Sequence, residues 1–288
     1  MLLNVEAKPL VRQAKSAAIR AANQARVQIV DEHEIGRLRD MAELFIEVWG
    51  TSQREAPMPS DLLRSLSHAG CNVTAAYDAT GTLSGAAVAV VSPGSTSMYS
   101  MIAGVAPGAA DSGIGFALKQ HQRAWGLARD LDTMTWTFDP LVSRNARFNL
   151  TKLGAHATDY LRNFYGVMDD EINANDESDR LVAVWPLATD RAVACSEGFV
   201  APVELPHFTP DDIRATGADG QPMLIEAAGS LWCRVPEDIV ALRRRDPDEG
   251  AAWRSRIREV LTTAFASGHT ANSVTRAGWY RLEKESQK

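Results

Sequence analysis

The sequence predicts a mixed-sheet α/β protein, on three observations. Two helical patterns come first, at 31–50 and 59–70. Three apolar, β-rich runs then follow with only turns between them, which is the pattern of an antiparallel meander. After residue 113 helices and strands alternate, so the later strands must reach the sheet by crossovers. A chain of 288 residues, 45% hydrophobic, is long enough for one large domain or an ordinary domain with an extension.

The first segment, 1–24, reads as a helical extension. Between 8 and 26 it carries Lys8, Arg12, Lys15, Arg20 and Arg26 and no acid, with Leu10, Ala14, Ala17, Ala18 and Ala21 at helical spacing. It reads as a solvated helix and loosely as a transit-type or membrane-surface segment. "ARVQIV" is a short strand. In 31–50, acids fill the first turn, Ile35, Leu38, Met41, Leu44, Phe45 and Val48 form one stripe, and Gly50 stops the helix. The helix at 59–70 has Ser60 or Asp61 to cap it and Gly70 to end it. "NVTAAYD" and "LSGAAVAVVSP", joined through Thr80-Gly81-Thr82, form a hairpin, and "TSMYSMIAGVAP" is its third strand.

A helix at 113–130 follows, then the strand "TMTWTFDPL". A short helix, "SRNARFNLTKLG", has Ser143 as its cap and Gly154 as its stop. "HATDYLRNFYG" is a strand, residues 168–179 an acidic loop, and "RLVAVWPL" the strand after it. Residues 188–228 are rich in Pro, Gly, Asp and Ala and show little periodicity. "SLWCRVP" is a strand, 248–268 a helix, and "SVTRAGWYRLE" a closing strand. Three domains are expected: the extension 1–24, a main domain 25–187, and a C-terminal αβ extension 188–288 packed on it.

A net charge of −6 argues against nucleic acid as a partner. Cys71, Cys195 and Cys233 are neither a disulfide framework nor a zinc spacing, which points to a reducing, cytoplasmic setting. No apolar run approaches the roughly 20 residues that span a bilayer. No metal site is expected, and a homodimer is the assembly allowed for.

The chemistry concentrates at 101–116. An apolar strand runs into a small-residue loop that reaches Gly113-Ile114-Gly115 and turns at once into a helix. Glycines at such a junction let backbone N–H groups approach a ligand, and the helix N-terminus favours an anion. Close helix–strand packing asks for the same glycines. The junction is not a Rossmann entry, because a meander precedes it and no third glycine follows; it is not a Walker loop, because Gly-Lys-Ser/Thr is missing.

The run "GVAPGAADSGIGFALKQHQRAWGLARDLDTMTWTFDPLVSRNARFNLTKLGA" resembles the acyl-CoA-binding motif of the GNAT superfamily of N-acyltransferases. There a strand ending in Val-x-Pro leads through a Gly-x-Gly/Ala loop into a helix. Further on, "TWTFDPL", "SRNARFNLTKLGA", "YLRNFYG" and "VPEDIVALRRRDP…WRSRIREV" resemble a GNAT subfamily of predicted acetyltransferases of about this length. The resemblance implies a GNAT-like fold with splayed central strands. Its co-substrate would be acetyl-CoA or another acyl-CoA, and its acceptor a small-molecule amine, including an amino acid.

It also implies roles. Ile102, Ala103, Gly104 and Val105 would pair with the pantetheine arm. Ser112, Gly113, Ile114, Gly115 and Phe116 would hold the pyrophosphate. Lys119, Arg123, Arg144 and Lys152 are candidates for the outer phosphates, beside a reading as solvated helix positions. An N–H near Val105 would polarise the thioester carbonyl.

The strand "TSMYSMIAGV" lacks the carboxylate base many members use, so Asp139 is the candidate base, and it equally reads as a turn former before Pro140. Tyr99 or Ser100 is a weaker relay. The family's acid tyrosine falls on Leu150, so Tyr165, then Tyr160, are its substitutes. Asn145 and Asn149 share a helix face and would bond pantetheine amides or a neighbouring strand. Arg162 and Asn163 would receive an acceptor carboxylate. Trp136 and Phe138 read as core, and His68, His121 and His156 carry no assigned chemistry. Ala110, Asp111 and Ser112 depart from the family loop, and the acid there opposes a pyrophosphate by about 1 kcal/mol. That departure motivates the alternative of a non-catalytic ligand-binding or interaction protein on the same fold. The acidic loop would suit a basic peptide if the protein acylated proteins.

Overall fold

The computed structural model describes residues 8–167 and 176–284. In chain order its elements are α1 (Pro9–Gln24), β1 (Gln28–Asp31), α2 (Ile35–Trp49), α3 (Ser60–His68), β2 (Asn72–Tyr77), β3 (Leu83–Val91), β4 (Ser97–Val105), α4 (Ile114–Leu127), β5 (Thr133–Phe138) and α5 (Ser143–Ala146). Then come β6 (His156–Leu161), β7 (Arg180–Pro186), α6 (Asp190–Ser196), β8 (Ile213–Thr216), β9 (Pro222–Ala227), β10 (Ser230–Arg234), α7 (Ile239–Arg245), α8 (Pro247–Ala266), β11 (His269–Val274) and β12 (Trp279–Lys284). They fall into two compact units, Met1–Thr135 with Pro186–Gly198, and Trp136–Trp185 with Phe199–Lys288.

In the first unit β2 to β4 form the expected antiparallel meander, β1 pairs antiparallel with β2, and Thr133–Thr135 runs parallel to Ser97–Tyr99. Two clusters explain why β2 and β3 read as continuous apolar runs. Val73, Ala75, Tyr77, Ala86 and Val88 pack with Leu38, Met41, Phe45 and Leu63 of α2 and α3. Ala76 and Ala87 point the other way, into a cluster with Ile114 and Leu118 of α4. With helices over both faces, polar alternation has no place. α4 must lie close to the sheet: a Cβ on Gly85 would stand 2.7 Å from Ile114 Cγ2.

Caps show which boundary signals were sound. Glu34 caps α2 by accepting from the Gly36 and Arg37 amides, and Gly50 ends it at φ +63°. Ser60 and Ser143 do not cap. Each is the first helical residue, behind Pro59 and Val142, and neither helix has a side-chain cap.

The second unit holds β7-β6-β11-β12-β10-β9-β8 in that order, with antiparallel neighbours. Three readings need correction here. The stretch 188–228, read as aperiodic, contains α6, β8 and β9. Its strands are short and their turn is glycine-rich, so periodicity had few residues in which to show. The closing strand is a hairpin, β11–β12, folded at the Thr275–Gly278 turn, where the Gly278 amide donates to Thr275 O. The strand "HATDYLRNFYG" stops at Leu161 and turns. Trp136 and Phe138 are buried, as expected of core residues, and Trp136 meets Trp185 edge to face at 6.2 Å.

Candidate functional site

In the first unit the site is made of backbone. β4 pairs with β5 only over Ser97–Tyr99. From Ser100 to Val105 its ladder partner among the described residues is β3 alone. The β3–β4 register slips between Val88 and Ala89, so Met101 bulges out between Ser100 and Ile102. Met101 and Ala103 are exposed, Ile102 and Val105 half-buried, and Gly104 buried under Trp49. Unpaired strand edges are costly and usually covered, so an open edge inside a sheet of this kind offers N–H and C=O groups to an extended ligand.

The loop after β4 keeps that geometry. Asp111 and Gly113 both adopt left-handed backbone, at φ +62° and +88°. Gly113 is the N-cap of α4 and puts no side chain in front of the helix. Ser112 and Gly113 are exposed, Gly115 and Phe116 half-buried, and Ile114 buried. The amides at the start of this 14-residue helix have no intrahelical partner, and the dipole adds positive potential there. Ser112 Oγ donates to Ala109 O at 2.5 Å, fixing the loop. These features fit a pyrophosphate-bearing thioester with an amide-containing arm. Exposed Asp111 is the one group there that opposes it.

Two expected phosphate ligands are elsewhere. Lys119 and Arg123 are 5% and 0% exposed. Arg123 Nε donates to Leu187 O at 2.8 Å and Nη1 to Gln13 Oε1 at 3.0 Å. Lys119 Nζ donates to Ser100 Oγ at 2.8 Å. The spacing suggested a solvated face; instead the sheet covers one side of α4 and α1 the other. Ser100, offered as a relay, is buried in that same contact.

In the second unit Asp139 is sequestered. Its Oδ1 accepts from Arg254 Nη1 at 3.0 Å and from the Leu141 amide at 2.9 Å. Its Oδ2 accepts from Arg254 Nη2 at 3.0 Å and Arg243 Nη2 at 2.8 Å. Both guanidiniums also meet Asp176. Burial alone would raise the Asp139 pKa; Arg254 and Arg243 outweigh it and hold the carboxyl well below the usual carboxylate range. Such a group is a poor proton acceptor at neutral pH, which corrects its assignment as the base. Arg243 and Arg254, more than 100 residues downstream, carry no local signal in the sequence that pairs them with it.

Tyr165 is exposed, its hydroxyl 3.2 Å from Thr137 Oγ1, with the Arg180 guanidinium over its ring at 5.3 Å. Tyr160 instead donates to Asp179 Oδ2 at 2.6 Å, and burial together with that carboxylate raises its pKa far above the ordinary value, which makes it a poor acid at neutral pH. Asn149 Nδ2 donates to Asn145 Oδ1 at 3.2 Å, so the two share a helix face as expected but bond each other; Asn149 is buried and Asn145 exposed. They straddle the point where α5 widens into a π turn over Arg147–Lys152, a distortion common at working sites. Arg144, Lys152 and Arg162 are exposed. Asn163 is committed locally: its amide donates to Asp179 Oδ1 and its Oδ1 accepts from the Ser178 amide. Leu150 is buried. Most of the acidic loop, 168–175, lies outside the described residues. Among those residues no His/Cys/Asp/Glu group could hold a metal, the three cysteines are free, and no helix is long and apolar enough to cross a membrane.

No family model matches the chain, and no curated protein does. Over part of its length it is similar to solved structures of acetyltransferases. The ribosomal-protein-S18-alanine N-acetyltransferase of Escherichia coli is 15% identical over 57% of this chain and 95% of that one, at a TM-score of 0.46. A GNAT-superfamily phosphinothricin acetyltransferase of Sinorhizobium meliloti, in complex with AcCoA, is 17% identical over 57% and 89%, at 0.47. An N-acetyltransferase of Staphylococcus aureus is 14% identical over 56% and 98%, at 0.47.

Proposed function

We propose that the protein is an acyl-CoA-dependent N-acyltransferase of the GNAT type, transferring an acetyl or succinyl group to the amine of a small molecule such as an amino acid. The observation that carries this reading is the open edge of β4 beyond Tyr99, leading through left-handed Asp111 and Gly113 into the N-terminus of α4. An acyl-CoA, when bound, supplies an activated thioester. Ile102–Val105 offer it backbone partners, and Ser112–Phe116 offer amides and helix dipole to its pyrophosphate. Arg144 and Lys152, exposed residues of the second unit, stay candidates for outer phosphates on the resemblance alone. Tyr165, an exposed residue of the second unit, stays a candidate acid on the resemblance alone. Arg162 is the candidate for an acceptor carboxylate.

The sequestration of Asp139 favours a second reading, a ligand-binding protein without turnover. Calorimetric titration with acetyl-CoA and succinyl-CoA, repeated with Gly113→Trp, tests the first. Binding by the wild type that the substitution abolishes, with the melting temperature of the variant preserved, supports it. No binding at millimolar ligand overturns it, and turnover with any amine overturns the second.

A further inference from the structure

Helix α4 carries polar side chains at a depth where apolar ones are usual. Arg123 is accounted for by its bonds to Leu187 and Gln13. Lys119 is different, because of where its amine sits. Its Nζ bonds Ser100 Oγ at 2.8 Å, and Ser100, 4% exposed, donates to Gln122 Oε1 at 3.2 Å. Ser100 follows Tyr99, the last residue that β4 pairs with β5, and precedes Met101, the bulged residue. The amine is therefore fixed directly behind the point where the edge of β4 opens.

Other ionisable groups on the elements packed around α4 are few. β3 has none. β4 has Tyr99, β2 has Tyr77, and β1 has Asp31, which is bonded to His121 of α4 at 2.9 Å. α1 brings Arg12, Lys15 and Arg20, the last paired with Glu197. Burial lowers the Lys119 pKa to about 7, which leaves the amine able to carry or lose its charge near neutrality.

We infer that Lys119, held in place by Ser100, is a positioning residue for acyl transfer whose charge stabilises the thiolate released when the thioester is cleaved. The inference rests on the function proposed above. In that reaction the acceptor nitrogen forms a C–N bond to the acyl carbon, the C–S bond breaks with its electron pair on sulfur, and the nitrogen's surplus proton ends on that sulfur. With the pyrophosphate at 112–116 and the arm laid back along Val105 to Ile102, the sulfur end lies towards the bulge. A cation behind the strand there acts through low-dielectric protein, not through water. It stabilises the leaving sulfur where the missing tyrosine would have acted, through charge and not through proton transfer.

The test needs no acceptor. The thiol of CoA bound to the full chain is titrated by its ultraviolet thiolate absorbance, in wild type and Lys119→Met. The expected result is a bound thiol that ionises about one pH unit below free CoA in the wild type and loses that shift in the variant. Equal values in the two proteins overturn the inference while leaving CoA binding, read by calorimetry, intact. No CoA binding by the wild type overturns both. A second measurement guards against a variant that fails to fold. In isotope-labelled wild-type protein the Lys119 amine should titrate higher with CoA bound than with desulfo-CoA; identical titrations overturn the inference.

Discussion

Replacing Asp139 by Asn should destabilise the protein by about 3–5 kcal/mol without being a catalytic lesion. The magnitude follows from what the carboxylate neutralises. Arg243 and Arg254 are each 2% exposed, Asp139 is 7% exposed, and Asp176 is the other carboxylate they share. Asparagine is the same size and keeps an acceptor for the Leu141 amide. It removes the buried one of the two negative charges facing two buried positive ones, and aims an NH2 group at a guanidinium. Breaking a buried pair from one side leaves an uncompensated charge, which is the costly case. The assay is urea unfolding at neutral pH followed by tryptophan fluorescence; a loss below about 1 kcal/mol would refute the reasoning. The pH dependence gives a second check. The folded pKa of Asp139 is depressed, so its contribution is fully present above the unfolded carboxylate value of about 4 and is lost as pH falls towards the folded one. The stability difference between wild type and variant should be flat from about pH 8 to 5 and shrink only below about 4. A difference that already closes between pH 7 and 6 would mean another group is responsible.

Gly85→Ala should cost about 1–3 kcal/mol in a thermal melt, because the new methyl meets Ile114 Cγ2 at 2.7 Å and must push α4 off the sheet. Asp111→Asn keeps a residue that tolerates φ +62° and removes the charge, so acetyl-CoA should bind roughly fivefold more tightly by calorimetry; unchanged affinity would mean that the carboxylate does not face the ligand. In a spectrophotometric alkaline titration, three of the five tyrosines should stay protonated in the native protein to about pH 11. Burial raises Tyr77, Tyr160 and Tyr280, Tyr77 to about 12, with Glu32, Asp179 and Asp139 respectively adding to it.

What could be read in the sequence was whatever is decided locally. The stripe and glycine stop of α2, the meander with its Thr80–Thr82 turn, and the Gly113 junction depend on neighbours in the chain, and all stand where they were expected. The rest depended on distant partners. Lys119 and Arg123 have the spacing of a solvated face, and distant elements bury them, β4 at Ser100 for the lysine and α1 at Gln13 for the arginine. That stripe, Ala14, Ala17, Ala18 and Ala21, was visible, and small residues at helical spacing are a signal for close helix packing. Asp139 before Pro140 looked like a turn former or a base. Its bond to the Leu141 amide fits the first, and its burial between two arginines, one on α7 and one on α8, could not be seen locally.

The division between local and distant determinants bears on how the proposed site tolerates its own sequence. A notch built from the β4 edge and a loop held by left-handed Asp111 and Gly113 uses backbone groups that any residue but proline supplies. Departures at Ala110, Asp111 and Ser112 therefore change the local potential and leave the scaffold alone. Aspartate is among the few non-glycine residues that adopt the left-handed region readily, so its presence at 111 has a conformational reason that its charge does not share. Side-chain chemistry is less forgiving. A carboxylate that two buried arginines neutralise cannot also wait for a proton, and a tyrosine bonded to Asp179 cannot readily give one up. With Asp139 and Tyr160 committed to structure, the acyl transfer proposed above would draw its rate enhancement mainly from holding the reactants and from preorganised charge.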